Sequence, residues 1–192
     1  MQRSDIIQAA AQIIRDKGYH GTSMQDIADA VNLQKASLYH HVTSKQDILF
    51  TILEQALDML ISDMRAVVDS DLNPEEKLRL AMKVYMGRLT EDADLATVLL
   101  LEHRSLEDNL RTQHNTRRDR YESLWRKIIQ EGVRMGVFRP VDVTVAAFAI
   151  LGVQNWMITW FKSGGRLSAL ELSDHFSDLF LRGLRVDKDP SA

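Results

Sequence analysis

Side chains suited to contacting nucleic acid lie close together in the segment QKASLYHHV, residues 34–42. Lys35 can donate hydrogen bonds to guanine acceptors in the major groove of DNA, and Ala36 is small enough to approach a base pair or touch a thymine methyl group. Tyr39 can instead pack its ring beneath the segment, and packing is the expected role of His41. The residues predicted to reach bases or phosphates are Lys35, Ala36, Ser37, Tyr39 and His40.

Two short helical patterns position these side chains. On the first, Ile27 and Ala28 are placed to face inward. On the second, expected over residues 34–42, Leu38 and Val42 have the i, i+4 spacing of one helical face, which leaves the other side chains pointing outward. Two short helices joined by a tight turn are the layout of a helix-turn-helix that reads DNA.

The turn and the helix starts are marked independently of hydrophobicity. Asn32 lies where the chain must reverse, and asparagine tolerates positive φ better than most residues. Ser23 with Asp26, and Ser44 with Asp47, have the spacing of a capping box, in which a hydroxyl and a carboxylate satisfy amides at a helix start. Two helix beginnings are therefore predicted.

The same positions resemble the amino-terminal domain of the tetracycline-repressor (TetR) family. The residues that carry the resemblance are Ile6-Ile7, Ala9-Ala10, Gly18-Tyr19, Thr22, Asp26-Ile27-Ala28, Leu38-Tyr39-His40-His41 and Ser44-Lys45. The chain departs from the family pattern at Asn32, usually a glycine, and at Val42, usually an aromatic residue. The resemblance implies a DNA-binding domain over residues 1–48, a double-stranded DNA operator as partner, and contacts to backbone phosphates from Thr22, Ser23 and Lys45.

The charge of this segment is balanced. The whole chain has 24 basic and 27 acidic residues, and residues 1–48 contain five of each. The cations are Arg3, Arg15, Lys17, Lys35 and Lys45, against Asp5, Asp16, Asp26, Asp29 and Asp47. Because salt dependence follows the number of phosphates neutralised, we expect modest non-specific affinity and a shallow dependence of DNA binding on salt.

Composition excludes several other classes of protein. The 192 residues include no cysteine, so disulfides, thiolate metal sites and a cysteine nucleophile are excluded. The amino terminus has no charged region followed by an apolar signal core, and we expect a cytoplasmic location. The sequence contains no HExxH, GxSxG or phosphate-binding glycine loop, and no two histidines have i, i+4 spacing. We therefore expect neither an enzyme nor a cofactor, although a helical enzyme that binds small molecules is the alternative from another class.

The pattern is helical almost throughout, with prolines only at 74, 140 and 190. We predict an all-α fold of about nine helices. The first covers residues 4–17, and a long fourth helix carries apolar residues at three- to four-residue spacing from Ile48 to Val67. After residues 1–48, a ligand-binding and dimerisation domain is expected over 49–186, and a tail over 187–192.

Residues 143–161, VTVAAFAILGVQNWMITWF, are apolar on nearly every side. Their length approaches that of a membrane span, but Gln154 and Asn155 interrupt the run, and a helix that is apolar all round is equally a buried element. We therefore expect no membrane association. Burial on one side by the same domain and on the other by a second subunit would require this composition.

The closing helix is expected to complete a homodimer interface. Ser168 and Glu171 have capping-box spacing at its start, and an apolar stripe follows. The candidate interface residues are Phe176, Leu179, Phe180 and Gly183, with intrachain core as the alternative for the whole stripe. A two-fold dimer suits DNA reading, because helix-turn-helix proteins commonly bind two half-sites about 34–36 Å apart. TetR-like proteins pair through their last two helices.

The second half of the chain resembles, less specifically, a TetR subgroup that responds to acyl-coenzyme A thioesters of fatty-acid or steroid catabolism. The residues concerned are Glu102, Arg118-Asp119, Tyr121-Glu122, Trp125, Gly132, Gly136, Phe138-Arg139, Asn155-Trp156, Trp160 and Gly164-Gly165-Arg166. An apolar slot with a polar end would suit such an effector. The candidate ligand-binding residues are Met86, Leu99, His103, Arg104, Trp125, Phe148, Asn155, Trp156 and Trp160.

The run of residues 117–120, RRDR, is interpreted as a solvated face with local ion pairs, with an anion dock as the alternative.

The effector can also be a cationic or aromatic drug, as for efflux regulators of the same family. In either case the resemblance implies that effector binding shifts the fourth helix, changes the separation of the two DNA-binding segments, and ends repression.

Overall fold

The computed structural model describes residues 2–186, so the predicted tail at 187–192 lies outside the described residues. Nine α-helices follow one another within that range, and the predicted all-α fold is confirmed. They are α1 (Arg3–Lys17), α2 (Met24–Ala30), α3 (Lys35–Leu38), α4 (Lys45–Val68), α5 (Pro74–Glu91), α6 (Ala93–Leu101), α7 (Asp108–Arg134), α8 (Val143–Trp156) and α9 (Ala169–Leu184). Short 3₁₀ turns follow α6 (His103–Ser105) and α8 (Met157–Thr159).

The helices form two compact units. The first contains residues 2–59 and 92–118, and the second contains residues 60–91 and 119–186. Both α4 and α7 contribute residues to each unit. The boundary predicted after residue 48 lies within the first unit, so the first part of α4 belongs with the helix-turn-helix, as do α6 and the start of α7.

The core of the first unit is built on α1. Ile6, Ile7, Ala10 and Ile14 are buried, because their spacing places them on one face of the helix. This face packs against α6 and α2. Gly18 ends the helix with φ of 74°, and its amide donates to the carbonyl of Ile14, a conformation that glycine adopts at little cost.

The helix-turn-helix forms as predicted at its turn. Asn32 has φ of 53° and is the one non-glycine residue with positive φ among residues 2–186. Ile27, Ala28, Leu38 and Val42 are all buried. The predicted inward face is therefore present on both sides of the turn.

The second helix of the motif is shorter than predicted. The expected helix over 34–42 is limited to α3, Lys35–Leu38, and a turn follows. The amide of His40 donates to Ser37 and that of His41 to Leu38, while the amide of Val42 also reaches the carbonyl of Leu38. The first two of these bonds span three residues instead of four, and they tighten the chain into a turn that brings Val42 into the core. The outward positions remain close together despite the change.

Most of the predicted helix starts are capped. Ser23 and Asp26 form both bonds of the box at α2. Ser168 and Glu171 do so at α9. At α4, Ser44 Oγ accepts from the amide of Asp47, but the Asp47 carboxylate accepts from Thr43 rather than Ser44.

The second unit is organised around α5 and α9, which pack against each other. Asn73 caps α5 by accepting from the amides of Glu75 and Glu76, and Pro74 occupies the first helical position, where its missing N–H is not needed. On α9, the inward face carries Leu172, Ser173, Ser177, Leu181 and Leu184. Part of the predicted apolar stripe is thus intrachain core.

The end of α7 is held by an aromatic contact. Phe138 is buried against Gly132 so closely that a Cβ at residue 132 would lie 2.1 Å from the ring. Gly136 has φ of 70° and turns the chain between them. The amide of Arg139 then donates to the carbonyl of Leu184, which ties the loop to the end of α9.

Candidate nucleic-acid interface and effector site

The outward side of α3 and the turn after it forms a continuous polar surface. This recognition surface consists of Gln34, Lys35, Ala36, Ser37, Tyr39 and His40. All are exposed except Ser37, which is half-buried. Tyr39 is 48% exposed, so its ring does not pack beneath the helix. Within residues 2–186 these side chains have no internal hydrogen-bond partners, which leaves their polar groups available. Gln34 was not among the predicted contacts; in the structure it immediately precedes α3 and is exposed.

Two of the residues expected to contact DNA backbone phosphates instead form hydrogen bonds within the chain. Thr22 is buried, and its hydroxyl donates to the carbonyl of Gly18 at 2.9 Å. The Lys45 ammonium donates to the carbonyls of Tyr19 and Thr22 at 3.0 and 2.7 Å and lies 4.3 Å from the centre of the Tyr19 ring. These placements give both side chains a structural role in the free protein. Ser23 is exposed and serves as the cap of α2.

Most cations of the first 48 residues are already paired. Arg3 contacts Asp47, Arg15 contacts Asp94, and Lys17 contacts Asp26. The Lys17 ammonium and the capping bonds from Ser23 hold the pKa of Asp26 well below its usual value. With Lys45 also engaged, Lys35 is the one basic side chain in residues 2–48 whose charge has no partner in the described structure. Among residues 2–48, the unpaired positive charge therefore lies at the recognition surface.

Gln46 joins the helix-turn-helix to the segment between α6 and α7. Its amide nitrogen donates to the Tyr19 hydroxyl at 2.8 Å and to the carbonyl of Ser105 at 2.9 Å. Its carbonyl oxygen accepts from the amide of Glu107 at 3.1 Å. One side chain at the start of α4 therefore contacts the loop after α1 and the segment that leads into α7.

A buried histidine lies in the same unit, between α4 and α7. His114 has no exposed side-chain area, and its Nδ1 is 3.4 Å from Glu54 Oε1. Burial lowers the pKa of His114 to about 4, and the charge of Arg118 and the neighbouring His103 act in the same direction. Burial also raises the pKa of Glu54. Burial thus disfavours the charged form of each group, and the charge of Arg117 opposes this effect at Glu54.

The run over residues 117–120 begins with a paired arginine. Arg117 contacts Asp58 and lies 2.8 Å from Glu54 Oε2. This arrangement matches the interpretation of the run as a face with local ion pairs. Arg117 is not available as an anion dock while these pairs are formed.

The candidate effector residues are divided between the two units. Met86, Trp125 and Asn155 lie in the second unit, Met86 and Trp125 fully buried and Asn155 half-buried. Phe148, Trp156 and Trp160, 52%, 66% and 43% exposed, lie on the outside of the same unit. Leu99, His103 and Arg104 belong to the first unit. An apolar pattern alone could not separate a pocket wall from an exposed helix face.

A cluster of aromatic side chains surrounds Trp125 in the second unit. Tyr85, Tyr121 and Trp125 are buried, with ring centres 6.1 to 6.4 Å apart. The Tyr85 hydroxyl donates to Asn155 Oδ1. The Tyr121 hydroxyl and the Trp125 indole N–H are buried and have no well-formed hydrogen bond in the described structure. Neither Tyr85 nor Tyr121 was among the candidate ligand-binding residues, because tyrosines at core spacing look like packing residues.

Burial governs the ionisation of this cluster. It raises the pKa of both Tyr85 and Tyr121 well above the usual value; at Tyr121 the Tyr85 hydroxyl adds to the effect and the Trp125 indole opposes it. Both phenols are therefore neutral hydrogen-bond donors at ordinary pH. The Asp63 carboxylate that faces Tyr121 is paired with Arg88 at 2.6 Å. The cluster offers donors rather than a free negative charge.

An apolar face of α8 and α9 is exposed. On α8 it includes Val145, Phe148 and Trp156, and on α9 it includes Leu179, which is 68% exposed. A groove of about 410 Å³ runs between the two helices and is lined by Val145, Ala149, Leu179, Phe180 and Gly183. The candidate interface residues Phe176, Leu179, Phe180 and Gly183 are all at least partly exposed. In the single chain, α8 is buried on one side only.

Membrane-spanning helices and metal-binding clusters are both absent from residues 2–186. Among residues 2–186, no helix has the length and apolar character needed to cross a bilayer. The same part of the chain contains no cluster of three or more histidine and carboxylate side chains arranged to hold a metal ion.

Comparison with known proteins adds two family matches. Residues 6–52 match the model described as bacterial regulatory proteins, tetR family, and residues 71–184 match the tetracyclin repressor-like C-terminal domain. The HTH-type transcriptional repressor KstR2 of Mycolicibacterium smegmatis is 29% identical over 186 residues, which are 95% of this chain and 90% of the relative.

Two solved structures are similar over nearly their whole length. The TetR family transcriptional regulator PfmR from Thermus thermophilus has a TM-score of 0.87 and 39% identity, covering 94% of this chain and 99% of that one. AibR, solved in complex with isovaleryl coenzyme A and operator DNA, has a TM-score of 0.85 and 33% identity, covering 96% and 98%.

Proposed function

The chain belongs to the tetR family of bacterial regulatory proteins, and on this premise we propose that it is a repressor released from a palindromic operator by an acyl-CoA thioester. Proteins of this family are DNA-binding transcription regulators and not enzymes. The chain is accordingly a DNA-binding regulator of the TetR type. Repression, the class of effector and the roles of individual residues are the parts that we propose.

The observation that supports operator reading best is the recognition surface. Lys35 is the unpaired cation of residues 2–48, and it lies beside the small Ala36 and the exposed Tyr39 and His40. A positive, hydrogen-bonding surface on a short helix suits entry into the major groove. We propose that Lys35 and Ala36 contact base edges. Ser37, Tyr39, His40 and the unpredicted Gln34 then contact bases or phosphates.

A second copy of the chain is the proposed partner of the exposed apolar face. Phe176, Leu179, Phe180 and Gly183 would pair with their equivalents across a two-fold axis, together with the exposed side of α8. Such an isologous contact presents two recognition surfaces to the two halves of a palindrome. Burial of Phe148 and Trp156 in this contact would explain why α8 is apolar on nearly every side.

The buried donors near Trp125 support a carbonyl-bearing effector. An unsatisfied buried donor costs about 1–3 kcal/mol, and a thioester carbonyl could accept hydrogen bonds from both Tyr121 Oη and Trp125 Nε1. A cationic drug would instead require a free carboxylate, and Asp63 is already paired with Arg88. The structure of AibR with isovaleryl coenzyme A points to the same class of ligand in a similar protein.

Selection from random DNA sequences on the purified protein tests the first part of the proposal. We expect enrichment of a palindrome with half-sites about one helical turn apart. Failure to enrich any palindrome would contradict operator reading by a dimer.

An operator-release titration tests the effector. Short-, medium- and long-chain acyl-CoA thioesters and steroid-derived thioesters would be compared with cationic and aromatic drugs. We expect release by one class of thioester and no release by drugs. Tyr121→Phe, which keeps the ring and removes the hydroxyl, should weaken the response by about five- to tenfold. Release by drugs alone would overturn the thioester assignment.

A further inference from the structure

Part of the recognition surface lies outside any helix. Because α3 ends at Leu38, the exposed residues Tyr39 and His40 belong to the segment 39–43 that follows it, which we call the recognition turn. A helix of a single turn has little stability of its own. Leu38 and Val42 anchor this part of the chain in the core, but the orientation of Tyr39 and His40 also depends on what holds the backbone after them.

Arg3, at the start of α1, contacts the backbone of the recognition turn. Its Nε donates to the carbonyl oxygen of His41 at 3.3 Å, directly after His40. Its Nη2 donates to Asp47 Oδ1 and to Thr51 Oγ1, each at 2.9 Å. One guanidinium therefore joins α1, the recognition turn and the first two turns of α4.

Asp47 contacts the recognition turn at a second point. Its Oδ2 accepts from the amide of Thr43 at 2.9 Å, while its Oδ1 accepts from Arg3. A carbonyl and an amide of the turn, two residues apart, are thus bound by two oppositely charged side chains that also bind each other. An isolated exposed ion pair contributes little, but this pair belongs to a network of charge-assisted hydrogen bonds, which are stronger than neutral ones.

We propose that Arg3 and Asp47 are positioning residues for operator reading. They hold the recognition turn so that Tyr39 and His40 meet DNA in one orientation, and they do not contact DNA themselves. The proposal rests on the proposed role of the recognition surface and adds what orients it. A preorganised surface loses less conformational entropy on binding. Loss of the pair should therefore weaken binding to the operator more than binding to unrelated DNA, where phosphate contacts supply most of the affinity.

Binding of the full-length protein to its selected operator and to a scrambled duplex, at several salt concentrations, tests the proposal. The test variant is Arg3→Gln. The matched control is Arg15→Gln, which removes the same charge from the same helix and breaks an ion pair with Asp94. The arginine side chains are 46% and 40% exposed, and each aspartate partner is 26% exposed. Equal thermal midpoints would show that each variant folds.

We expect Arg3→Gln to bind the operator about three- to tenfold more weakly than the control, with affinities for the scrambled duplex within about twofold of each other. The slope of log affinity against log salt concentration should match that of the control, because no phosphate contact is lost. A phosphate contact would instead weaken binding to both duplexes and reduce the slope by about one per subunit. That result, or equal operator affinity in the two variants, would overturn the positioning role.

Asp47→Asn distinguishes positioning from simple electrostatics by the sign of its effect. Removal of a negative charge from a DNA-binding unit should strengthen binding if long-range attraction alone decided it. Positioning predicts weaker operator binding, and the double variant Arg3→Gln/Asp47→Asn should lie within about twofold of Arg3→Gln, since both changes break one network. Operator affinity of Asp47→Asn at or above that of the parent protein would contradict the proposal.

Hydrogen exchange in the DNA-free protein separates this proposal from the proposed function. The amides of His40 and His41, which donate to Ser37 and Leu38, should exchange about threefold or more faster in Arg3→Gln than in the control. If the parent protein enriches no palindrome but exchange is faster, operator reading fails and the pair still holds the turn. If the parent protein enriches a palindrome and exchange is equal in the two variants, operator reading stands and the positioning role fails.

Discussion

Lys35 illustrates how the pairing of charges decides function at the scale of single residues. The sequence presents it as one cation among five in residues 1–48. The structure gives internal partners to Arg3, Arg15, Lys17 and Lys45. What distinguishes Lys35 is therefore the absence of a partner, which depends on contacts with residues distant in sequence. No local pattern could have revealed it.

Replacing Lys35 with alanine should reduce operator affinity by about tenfold or more, because a base contact of this kind contributes roughly 1–3 kcal/mol of discrimination. Dimerisation should be retained, since the side chain is exposed and far from α9 in sequence. Gel-shift titration with specific and scrambled DNA measures the change. Lys83→Ala removes an exposed lysine of α5 and should have no effect. Unchanged affinity and footprint for Lys35→Ala would contradict its role.

Thr22 and Lys45 show the limit of inference from a family pattern. Their positions in the sequence match residues expected to contact phosphates, but one is buried and the other donates to two carbonyls. The lysine reaches residues 23 and 26 positions away, a distance that helical periodicity does not cover. By contrast, positive φ at Asn32 was predictable, because it follows from the local turn.

His114 should make stability depend on pH. Its pKa is about 4 in the folded protein and near 6.5 in the unfolded chain. The unfolded state therefore binds the proton first as the pH falls, and stability present above pH 6.5 is lost between about pH 6.5 and 4. We expect a loss of about 2 kcal/mol in the free energy of unfolding over this range. Urea titrations at pH 7 and pH 4.5 measure it.

The variant His114→Gln provides the comparison, because it removes the titration and keeps a polar side chain of similar size. His103, Glu54, Arg117 and Arg118 also face this region and remain in both proteins, so the difference between the two pH profiles isolates His114. Identical profiles for parent and variant would show that His114 does not titrate as its burial implies.

At the scale of elements, the capping signals predicted where helices begin better than the apolar spacing predicted where α3 ends. Ser23 and Ser168 begin helices where the sequence indicates, since each cap uses residues within three positions. The length of α3 was wrong, because the end of that helix depends on how Val42 enters the core. The start of a helix is thus a local property, whereas its end here is a tertiary one.

The contact between Gly132 and Phe138 gives a prediction for α7. Alanine at residue 132 would place its Cβ 2.1 Å from the Phe138 ring, which is only 1% exposed. Alanine is favoured over glycine within helices by about 1 kcal/mol, but overpacking commonly costs about 1–3 kcal/mol. We expect Gly132→Ala to lower the free energy of unfolding by about 1–2 kcal/mol in denaturant titrations.

Gly87→Ala is the matched control for this prediction. Gly87 is also helical, and the nearest atom to an added Cβ is the flexible carboxylate of Glu91 at 4.0 Å. This variant should equal the parent protein or gain up to about 1 kcal/mol. A stabilising effect of Gly132→Ala would mean that Phe138 has another position available.

At the scale of the whole molecule, the exposed face of α8 and α9 is the feature that one chain does not explain. The sequence predicted that α8 would need two partners, and the structure provides one of them: Ala147, Ile150, Leu151 and Gln154 are buried within the chain. Phe148 and Trp156 remain exposed. Apolar side chains this large are seldom left in solvent over a contiguous patch without an interaction partner.

A charged side chain introduced into this face should separate the two subunits, and loss of the dimer should abolish operator binding. In a two-fold dimer, Leu179→Glu places two carboxylates into the same apolar contact, where burial of an unpaired charge is costly. We expect sedimentation at the mass of a single chain and at least a hundredfold loss of affinity for the palindrome, because one recognition surface alone retains only half of the contacts.

Leu170→Glu is the control for that prediction. Leu170 is 51% exposed on the same helix, and nine residues at 100° each place it on the opposite side of α9 from Leu179. It should leave both mass and operator affinity unchanged. A dimer that persists in Leu179→Glu, or a monomer that still binds the palindrome tightly, would show that paired recognition does not depend on this face.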